Sequence, residues 1–354
     1  MKKNRLLTGD RPTGPLHLGH YIGSLQNRVE YQSTHECFFV IADLHTLTTR
    51  PEKDQIKLMN DYIHQIVLDY LSIGIDPGRS TIFVQSSIPG ITELSTILSM
   101  LVSTPRLERI PSLKEMAKSA GLAAMPFGLL GYPVLMAADI LIPRANLVPV
   151  GEDNRGNVEL ARELARRFNS MYGDVFPIPE IEAEGTLIGI DGGDKMSKSL
   201  NNAIFLSDSP EVVEARVMGM YTDPNRTRAD IPGNVDGNPV FIYHDLFNQD
   251  QDQVKELKHR YSKGKVGDVE VKQELVLAIN EFLEPIRRKR EEYSSSPDLI
   301  LDILSDGAKR MKIESEETLL LIREAMGLEK YLHVDEKQGL EMMTVNAVEG
   351  LAFM

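Results

Sequence analysis

Short apolar runs alternate with amphipathic segments along the first half of the chain. The runs "RLLT" (5–8), "CFFVIA" (37–42) and "TIFVQ" (81–85) have the length and the β-branched and aromatic content of buried strands. Between the last two, residues 56–71 place apolar side chains on one helical face, and Gly74 marks the expected end of that helix. This order predicts an α/β fold built on a doubly wound, Rossmann-like parallel sheet.

The same layout recurs in the middle of the chain. The run "NLVPV" (146–150) predicts a strand, and the turn "GEDNRGN" leads from it into a helix over 158–169. The run "LIGID" (187–191) predicts a further short strand, which leads into the basic, glycine-rich loop "GGDKMSKSLNN". After about residue 205 helical patterns dominate, interrupted by a loop over 221–239.

These patterns divide the chain into three parts. Residues 1–204 form the predicted nucleotide-binding domain, which ends in the basic loop. Residues 205–330 form a predicted second, all-helical domain. The last helix of this domain can pack back on the first domain. Residues 331–354 show no clear period and are expected to form a C-terminal tail.

Composition narrows the class of protein. The chain has 354 residues and is 42% hydrophobic, with a mean hydropathy of −0.21, as expected for a soluble globular protein. It has no apolar run of membrane-spanning length and no secretory leader, so we expect a cytoplasmic protein that does not bind membranes. The single cysteine, Cys37, lies among apolar residues and is predicted to be part of the core.

The net charge of −13 argues against a surface that is basic overall. A nucleic-acid partner would therefore have to be held by local basic clusters. The candidate clusters are Arg162, Arg166 and Arg167; Lys255, Lys258 and Arg260; and Arg287, Arg288, Lys289 and Arg290. Each cluster also fits a solvated helix face, so charge alone does not decide between the two.

The opening loop "GDRPTGPLHLGH" (9–20) follows the first predicted strand and leads into a helix. Three readings are open: a metal site, a phosphate-binding loop, or a turn with incidental histidines. Two histidines without nearby cysteine are too few ligands for zinc. A phosphate site needs less, because glycines let the backbone approach a ligand and the imidazoles of His17 and His20 can donate hydrogen bonds to it.

The basic loop "KMSKS" (195–199) strengthens the phosphate reading. Lys195 and Lys198 supply two flexible cations, Ser197 and Ser199 supply hydroxyl groups, and the preceding glycines allow the loop to close over a polyphosphate. Taken alone, such a loop is more often exposed to solvent. Its combination with "HLGH" makes that explanation less satisfactory.

These two motifs together resemble the signatures of the class I aminoacyl-tRNA synthetases, His-x-Gly-His and Lys-Met-Ser-Lys-Ser, both present here unaltered. Motif order, chain length and the helical second half agree, so the resemblance covers roughly residues 4–330. It implies ATP-dependent activation of an amino acid and its transfer to the 3′ end of a tRNA. In this family, the helical domain reads the tRNA anticodon.

A third segment indicates which amino acid is activated. Read as a helix, "GLLGYPVLMAADILIP" (128–143) places Tyr132, Met136 and Asp139 on one face. A carboxylate among apolar side chains needs a hydrogen-bond partner, which is either a local protein group or a substrate N–H. The stretch resembles the pocket helix of the tryptophanyl-tRNA synthetases, where the aspartate accepts the indole N–H and the methionine lies against the ring. "VPVGED" (148–153) and "ADLHTLT" (42–48) also resemble the tryptophanyl pattern.

This resemblance implies the substrates L-tryptophan, ATP with Mg²⁺ and tRNA(Trp). It also implies a role for each of the matching site residues. Catalysis is assigned to His17 and His20, which stabilise the α-phosphate, and to Lys195 and Lys198, which hold the departing pyrophosphate. ATP binding is assigned to Gly9, Arg11, Pro12, Thr13, Gly19, His20, Gly151, Glu152, Asp153, Leu187, Lys195, Met196, Ser197, Lys198 and Ser199. Tryptophan binding is assigned to Tyr132, Met136, Asp139, His45 and Asn154. No residue is assigned to a metal, because Mg²⁺ is expected on the phosphates.

Two positions depart from the family pattern. The glutamine often found before Pro12 is Arg11 here, which suggests a contact to ATP phosphate. The glutamine expected after "GED" is the shorter Asn154, which puts its contact to the substrate amino group in doubt.

The family also implies a homodimer, and the segment 91–110, with Ile97, Leu98, Leu101 and Val102 along one side, is the candidate interface. The same segment fits a core helix equally well. Three other functions stay open: a tyrosyl-tRNA synthetase, a small nucleotidyltransferase, and a synthetase-derived RNA-binding or regulatory protein without catalysis.

Overall fold

The computed structural model describes residues 4–198, 200–223 and 226–328. Its centre is a sheet of five parallel strands in the order β3-β2-β1-β4-β5. The strands are β1 Arg5–Asp10, β2 Glu36–Ile41, β3 Ser80–Val84, β4 Leu147–Val150 and β5 Glu180–Ala183. From β1 the chain winds in one direction through β2 and β3 and in the other through β4 and β5. Doubly wound sheets bind ligands at such a reversal point, beyond the carboxyl ends of the strands.

Helices cover both faces of the sheet. In the first part of the chain they are α1 Leu18–His20, α2 Gln26–Tyr31, α3 Asp43–Leu47, α4 Lys53–Ile73, α5 Pro89–Ser99, α6 Thr104–Leu107, α7 Pro111–Ser119, α8 Phe127–Leu130, α9 Tyr132–Leu141 and α10 Arg155–Tyr172. A π-helical turn, Tyr21–Leu25, joins α1 to α2, and 3₁₀ turns lie at Gln85–Ser87 and Glu152–Asn154. The later part contains α11 Pro210–Met218, α12 Pro239–Phe247, α13 Gln251–Ser262, α14 Asp268–Ser294 and α15 Pro297–Met326. The predicted fold class, a doubly wound sheet followed by helices, is confirmed.

Two apolar cores flank the sheet, and β2 shows how the sequence builds them. Its alternate residues Cys37, Phe39 and Ile41 belong to one core, whereas Phe38 and Val40 belong to the other. A strand buried on both faces reads as a continuous apolar run, as "CFFVIA" does. Cys37 is only 1% exposed, which confirms its predicted place in the core.

The strand predicted at 187–191 is wrong. Its backbone groups pair outside the sheet: the Leu187 carbonyl accepts from the Met196 N–H at 2.8 Å, and the Ile190 N–H donates to the Asn202 carbonyl at 3.1 Å. The run therefore packs against the basic loop that follows it. The fifth strand is instead β5, which pairs with β4. It lies at the sheet edge with mostly exposed side chains, so its sequence "EIEA" carries no apolar signal.

Segment 128–143 also differs from one continuous helix. It is divided at Gly131 into the short α8 and the longer α9, and Tyr132 is the first residue of α9. Within α9, Tyr132, Met136 and Asp139 still share one face, as the helical spacing predicts. This interruption does not disturb the predicted group of residues.

α15, the last helix of the residues that the structure describes, packs on the sheet. Gly307 of α15 lies so close to β3 that an added Cβ would be 1.8 Å from the Ile82 carbonyl oxygen. Met311, Leu319 and Ile322 of α15 are buried in the same core as Phe38 and Phe83. An ion pair of 2.8 Å joins Arg5 of the first strand to Glu314 of this helix.

The side chains suggested for a subunit interface are used inside the subunit. Leu98 and Leu101 are buried in a core, and Ile97 and Val102 are partly buried against it. Leu98 and Leu101 therefore fit the alternative of a core helix, whereas a subunit interface through the rest of the segment stays a prediction. In the same segment Met100 is 74% exposed.

Two further features of the sequence can be placed against the structure. Ser199 and the predicted tail at 331–354 lie outside the described residues. Within the described ranges, the helices lack the combination of length and apolar character that crossing a lipid bilayer requires.

Candidate active site

A cavity of about 820 Å³ opens at the carboxyl ends of β1 and β4. Its walls come from the loop after β1, the start of α1, the face of α9, the turn after β4 and the basic loop that contains Lys195. This is the reversal point of the sheet, where neighbouring strand ends leave a crevice between their loops. The two sequence motifs therefore meet across one space.

Most of the predicted site residues line this cavity. They are Gly9, Arg11, Thr13, His17, Gly19, His20, His45, Tyr132, Met136, Asp139, Gly151, Asp153, Asn154, Leu187, Lys195, Met196, Ser197 and Lys198. Pro12 and Glu152 do not line it: Pro12 is buried behind the loop, and the exposed Glu152 pairs with Arg155 at 3.3 Å. The cavity lining gives no support to ATP contacts of these two side chains, which stay predictions.

The two histidines form a stacked pair at the start of α1. Their ring centroids are 3.7 Å apart, and the His17 backbone N–H donates to Nδ1 of His20 at 3.2 Å. Burial, together with the nearby Lys198, lowers the pKa of His20 to about 3, and burial likewise lowers the pKa of His17 far below its ordinary value. Both rings are therefore neutral at neutral pH. Because Nδ1 of His20 accepts, its Nε2 carries the hydrogen and can donate.

Gly19 lies between the two histidines in sequence, and a side chain there would be crowded. A Cβ at this position would be 3.0 Å from the His17 ring and 3.1 Å from Cβ of Met196. The Gly19 N–H also donates to Sδ of Met196 at 3.2 Å. The histidine motif and the lysine motif are thus in direct contact.

A buried ionic cluster that the sequence reading did not anticipate lies beneath His20. Arg28 donates to Asp10 at 2.7 Å, to the Tyr70 hydroxyl at 2.9 Å and to Ser24 at 2.8 Å. Tyr70 donates to the same Asp10 oxygen at 2.6 Å. Burial alone would raise the pKa of Asp10, but Arg28, His20 and Tyr70 together hold that pKa well below its usual range. The cluster ties the end of β1 to the helix that carries the histidines.

The two lysines of the basic loop have different partners. Nζ of Lys195 is 3.1 Å from Asp153 in an exposed ion pair, whereas Nζ of Lys198 donates to the Gly14 carbonyl at 2.6 Å. Burial, supported by the like charge of Arg50, lowers the pKa of Lys198 to about 8. Lys198 is therefore a cation that titrates close to physiological pH.

Asn202 fixes the shape of the basic loop. Its side-chain oxygen accepts from the Ser197 N–H at 2.7 Å, and its amide nitrogen donates to Asp191 at 2.9 Å and to the Lys195 carbonyl at 3.2 Å. Asn202 is 2% exposed. A buried side-chain amide that satisfies backbone groups in this way holds the loop in one conformation.

Asp139, which also lines the cavity, is held by the side chains of His45 and Gln85. Nε2 of His45 lies 2.9 Å from one carboxylate oxygen, and the Gln85 amide donates to both oxygens at 2.9 and 2.8 Å. Burial raises the pKa of Asp139, opposed by the hydrogen bonds from His45 and Gln85. A carboxylate has about four acceptor sites, so one more N–H can be accommodated.

Aromatic and apolar groups surround this carboxylate. The His45 ring lies 4.1 Å from that of Tyr132, and Met136 is partly buried on the same wall. The result is an apolar pocket with one oriented acceptor at its end. Such a pocket suits a flat aromatic ligand that carries one N–H donor.

Asn154 and Arg11, the two departures from the family pattern, both reach the cavity. Asn154 accepts from Asn157 at 3.1 Å and lies 3.4 Å from Asp153. Arg11 donates to the Thr49 hydroxyl at 2.8 Å, and its guanidinium carbon lies 6.0 Å from the centre of the Tyr132 ring.

Sequence reasoning missed several residues of the cavity wall. Besides Asp10 and Arg28, these include Thr49, Arg50 and Glu184, and Ser112, Glu115, Met116 and Ser119 from α7. Asp10 stands inside the quoted motif and follows an apolar strand, which is a usable signal. The residues of α7 carry no such signal, because only the tertiary fold brings that helix to the cavity.

Comparison with known proteins gives a consistent result. Residues 1–284 match the family described as tRNA synthetases class I (W and Y). The tryptophan–tRNA ligase of Treponema pallidum is 58% identical over 326 residues, 92% of this chain and 97% of that protein. That of Borreliella burgdorferi is 54% identical over 334 residues, 93% of this chain and 95% of that protein.

A solved structure agrees with these relatives. The tryptophanyl-tRNA synthetase of Campylobacter jejuni, complexed with ADP and tryptophan, superposes with a TM-score of 0.82 at 34% identity, covering 92% of this chain and 100% of the other. The residues matched to the family include every strand named above and every residue that lines the cavity.

Proposed function

The chain belongs to the class I tRNA synthetases of the tryptophan and tyrosine group, and on that premise we propose that it activates L-tryptophan with ATP and transfers it to tRNA(Trp). The observation that carries the proposal is the single cavity that joins the two signature motifs to the pocket of Asp139. Relatives that are 58% and 54% identical over most of their length are tryptophan–tRNA ligases.

The first step forms a bond between a tryptophan carboxylate oxygen and the α-phosphorus of ATP and breaks the bond to the bridging oxygen of pyrophosphate. In the second step the terminal ribose hydroxyl of the tRNA attacks the adenylate carbonyl, and AMP leaves. No protein nucleophile takes part in either step. The rate comes from positioning the reactants and from stabilising charge.

The residues divide these tasks by their position in the cavity. His17 and His20, both neutral, donate hydrogen bonds to the α-phosphate as charge develops on it. Lys195 and Lys198 leave Asp153 and the Gly14 carbonyl and hold the pyrophosphate. We propose the remaining cavity-lining residues of the predicted ATP set, apart from Arg11, as contacts to the nucleotide.

Tryptophan is proposed to bind at the other end of the cavity. Asp139 accepts the indole N–H, Met136 and Tyr132 pack against the ring, and His45 orients the carboxylate of Asp139. Removing the N–H from the ligand would leave a buried acceptor unpaired, which sites of this kind discriminate against strongly.

Mg²⁺ is proposed to reach the site on the phosphates of ATP. Among the described residues, His, Cys, Asp and Glu side chains do not converge in groups of three or more that could hold a metal. The cavity carboxylates of Asp10 and Asp153 are paired with Arg28 and Lys195. The metal would neutralise phosphate charge, and the lysines would share that task.

For the chain as a whole, we propose that residues 1–204 form the catalytic domain and that residues 205–330 form the anticodon-binding domain, with α15 returning to the sheet. A homodimer, with tRNA lying across both subunits, and a cytoplasmic location remain predictions from the sequence.

The decisive experiment is exchange of labelled pyrophosphate into ATP with each of the twenty amino acids. We expect exchange with tryptophan, and tRNA(Trp) should then be charged. Exchange with tyrosine in place of tryptophan would overturn the specificity, and exchange with none of the twenty would support a non-catalytic protein. Because the chain contains no tryptophan, indole fluorescence reports the bound amino acid without protein background.

A further inference from the structure

Arg11 lines the cavity and has no carboxylate partner among the residues that the structure describes. Its guanidinium lines the cavity and donates to Thr49 at 2.8 Å, and its Nε is buried without a hydrogen-bond partner. Within the described part of the chain, Arg11 forms no ion pair. By contrast, two other cations of the same cavity, Arg28 and Lys195, are paired with Asp10 and Asp153.

An unpaired buried charge is costly for the folded protein, and an anionic ligand relieves that cost. Burial and the like charge of the nearby Arg50 both lower the pKa of Arg11, which shows how unfavourable this surrounding is for a cation. A fork-shaped guanidinium is well matched to a carboxylate, which it can bind through two parallel hydrogen bonds. Arg11 is therefore placed to bind the anionic group of a ligand.

Its position distinguishes between the anions of the two substrates. The guanidinium carbon lies 6.0 Å from the ring centre of Tyr132, and that ring packs at 4.1 Å on His45, which contacts Asp139 at 2.9 Å. Arg11 and Asp139 are therefore connected through one aromatic wall, with Tyr132 and His45 between them. The phosphate-binding groups, in contrast, are the histidines and lysines of the two signature motifs.

We propose that Arg11 binds the α-carboxylate of tryptophan while Asp139 binds its indole N–H, so that the two residues hold the substrate by its two ends. This assignment rests on the proposed function and replaces the ATP contact expected for Arg11 from the sequence. Arg11 stays protonated throughout and presents the attacking carboxylate to the α-phosphate. Its role is to bind and orient the nucleophile, because it exchanges no proton with it.

The test compares ligands with and without a carboxylate. Dissociation constants of L-tryptophan and tryptamine are measured by calorimetry for the full-length protein and for Arg11→Gln, Arg11→Lys and Arg50→Gln. Arg50→Gln is the matched control, because it removes an exposed arginine of the same cavity. The dissociation constant of ATP is measured in parallel for each variant.

We expect Arg11→Gln to weaken tryptophan binding roughly ten- to a hundredfold, the range for a charge-assisted hydrogen bond, and to leave tryptamine binding almost unchanged. Arg11→Lys should restore part of the preference, and Arg50→Gln should keep all of it. An unchanged preference for tryptophan over tryptamine, with weaker ATP binding in Arg11→Gln, would overturn the proposal in favour of a phosphate contact.

Two further outcomes are separable. If Arg11→Gln binds neither ligand, the preference for tryptophan over tryptamine is measured in Arg11→Lys instead. A preference in Arg11→Lys equal to that of the wild type would contradict the proposal. If the wild-type protein itself neither binds tryptophan nor catalyses exchange, the proposed function fails and not the assignment of Arg11 alone.

Discussion

At the scale of single residues, Asp139 illustrates how a buried carboxylate can be kept available for a ligand. His45 and Gln85 orient it, and burial works against its ionisation while their hydrogen bonds favour it. Asp139 lines the cavity, and these contacts leave one of its roughly four acceptor sites unused. The carboxylate of Asp139 therefore has a fixed geometry before a ligand binds, which suits it to accept one N–H.

We predict that Asp139→Ala lowers the preference for tryptophan over phenylalanine by at least about tenfold, because the hydrogen bond that phenylalanine cannot make is lost. The measurement is kcat/KM of pyrophosphate exchange with each amino acid. Met136→Leu, a substitution of similar volume on the same wall, is the control and should retain most of the preference. An unchanged preference in Asp139→Ala would assign Asp139 to structure alone.

Lys198 gives a pH prediction. Its pKa of about 8 means that the free enzyme loses this cation as the pH rises through 8, so kcat/KM for ATP should fall above that pH, approaching tenfold per pH unit. An arginine at this position stays charged, and Lys198→Arg should remove the decline whatever its absolute activity. A decline of the same shape in Lys198→Arg would show that another group titrates.

How far the sequence predicts the site is clearest at this scale. The spacing of Tyr132, Met136 and Asp139 on one helix was sufficient to group them, and the two signature motifs identified the histidines and lysines. Gln85 and Arg28 could not be found in this way. Their partners lie 54 and 18 residues away in sequence, so only the folded chain brings them together.

At the scale of elements, the helix that carries the histidines is irregular. A π-helical turn follows His20 and places Ser24 and Arg28 under the site, where they contact each other at 2.8 Å. π-Helical turns are rare in proteins overall, and many of those that occur lie at functional sites. Sequence periodicity assumes regular α-helix and cannot anticipate it. The same limit applies to 187–191, where apolar residues are buried without forming a strand.

The contact of α15 with β3 can be tested through Gly307. A methyl group at this position would meet the backbone of Ile82, and overpacking of this kind costs about 1–3 kcal/mol. We therefore predict that Gly307→Ala lowers the free energy of unfolding in urea by that amount. Gly128→Ala, at a helical glycine with open space around it, is the control and should change little. Equal stability of the two variants would contradict the close packing.

At the scale of the whole molecule, α14 is connected to the opening loop (9–20), which precedes α1. Arg290 contacts Asp69 of α4 at 2.8 Å, and the other oxygen of Asp69 accepts the Leu16 backbone N–H at 3.0 Å. Asp69 is fully buried. The helical region is therefore joined to the loop that precedes α1 through one carboxylate, a connection that no local sequence pattern predicts.

The neutral histidines also affect stability. In the unfolded chain an imidazole takes up a proton near pH 6.5, whereas in the folded protein burial lowers the pKa of His20 to about 3 and that of His17 further. The unfolded state thus binds more protons, and the free energy of unfolding falls as the pH drops below 6.5.

From pH 7 to pH 5.5 we predict that His17 and His20 together contribute a loss of roughly 1–2 kcal/mol, discounted for the partial exposure of His20. Urea unfolding at the two pH values measures it, and His17→Gln should make the dependence shallower. A dependence as steep in His17→Gln as in the wild type would mean that other groups carry it.

The packing of α15 also determines when the protein can be completed during synthesis. Arg5 and the strands leave the ribosome before α15, the helix that covers β3 and pairs with Arg5 through Glu314. Until residue 326 has emerged, one face of the sheet lacks part of its cover, and apolar surface of β3 stays open to water or to chaperones. The nascent chain therefore depends on α15 to cover this apolar face, and a ribosome that stalls before that helix would release a chain whose sheet is incompletely covered.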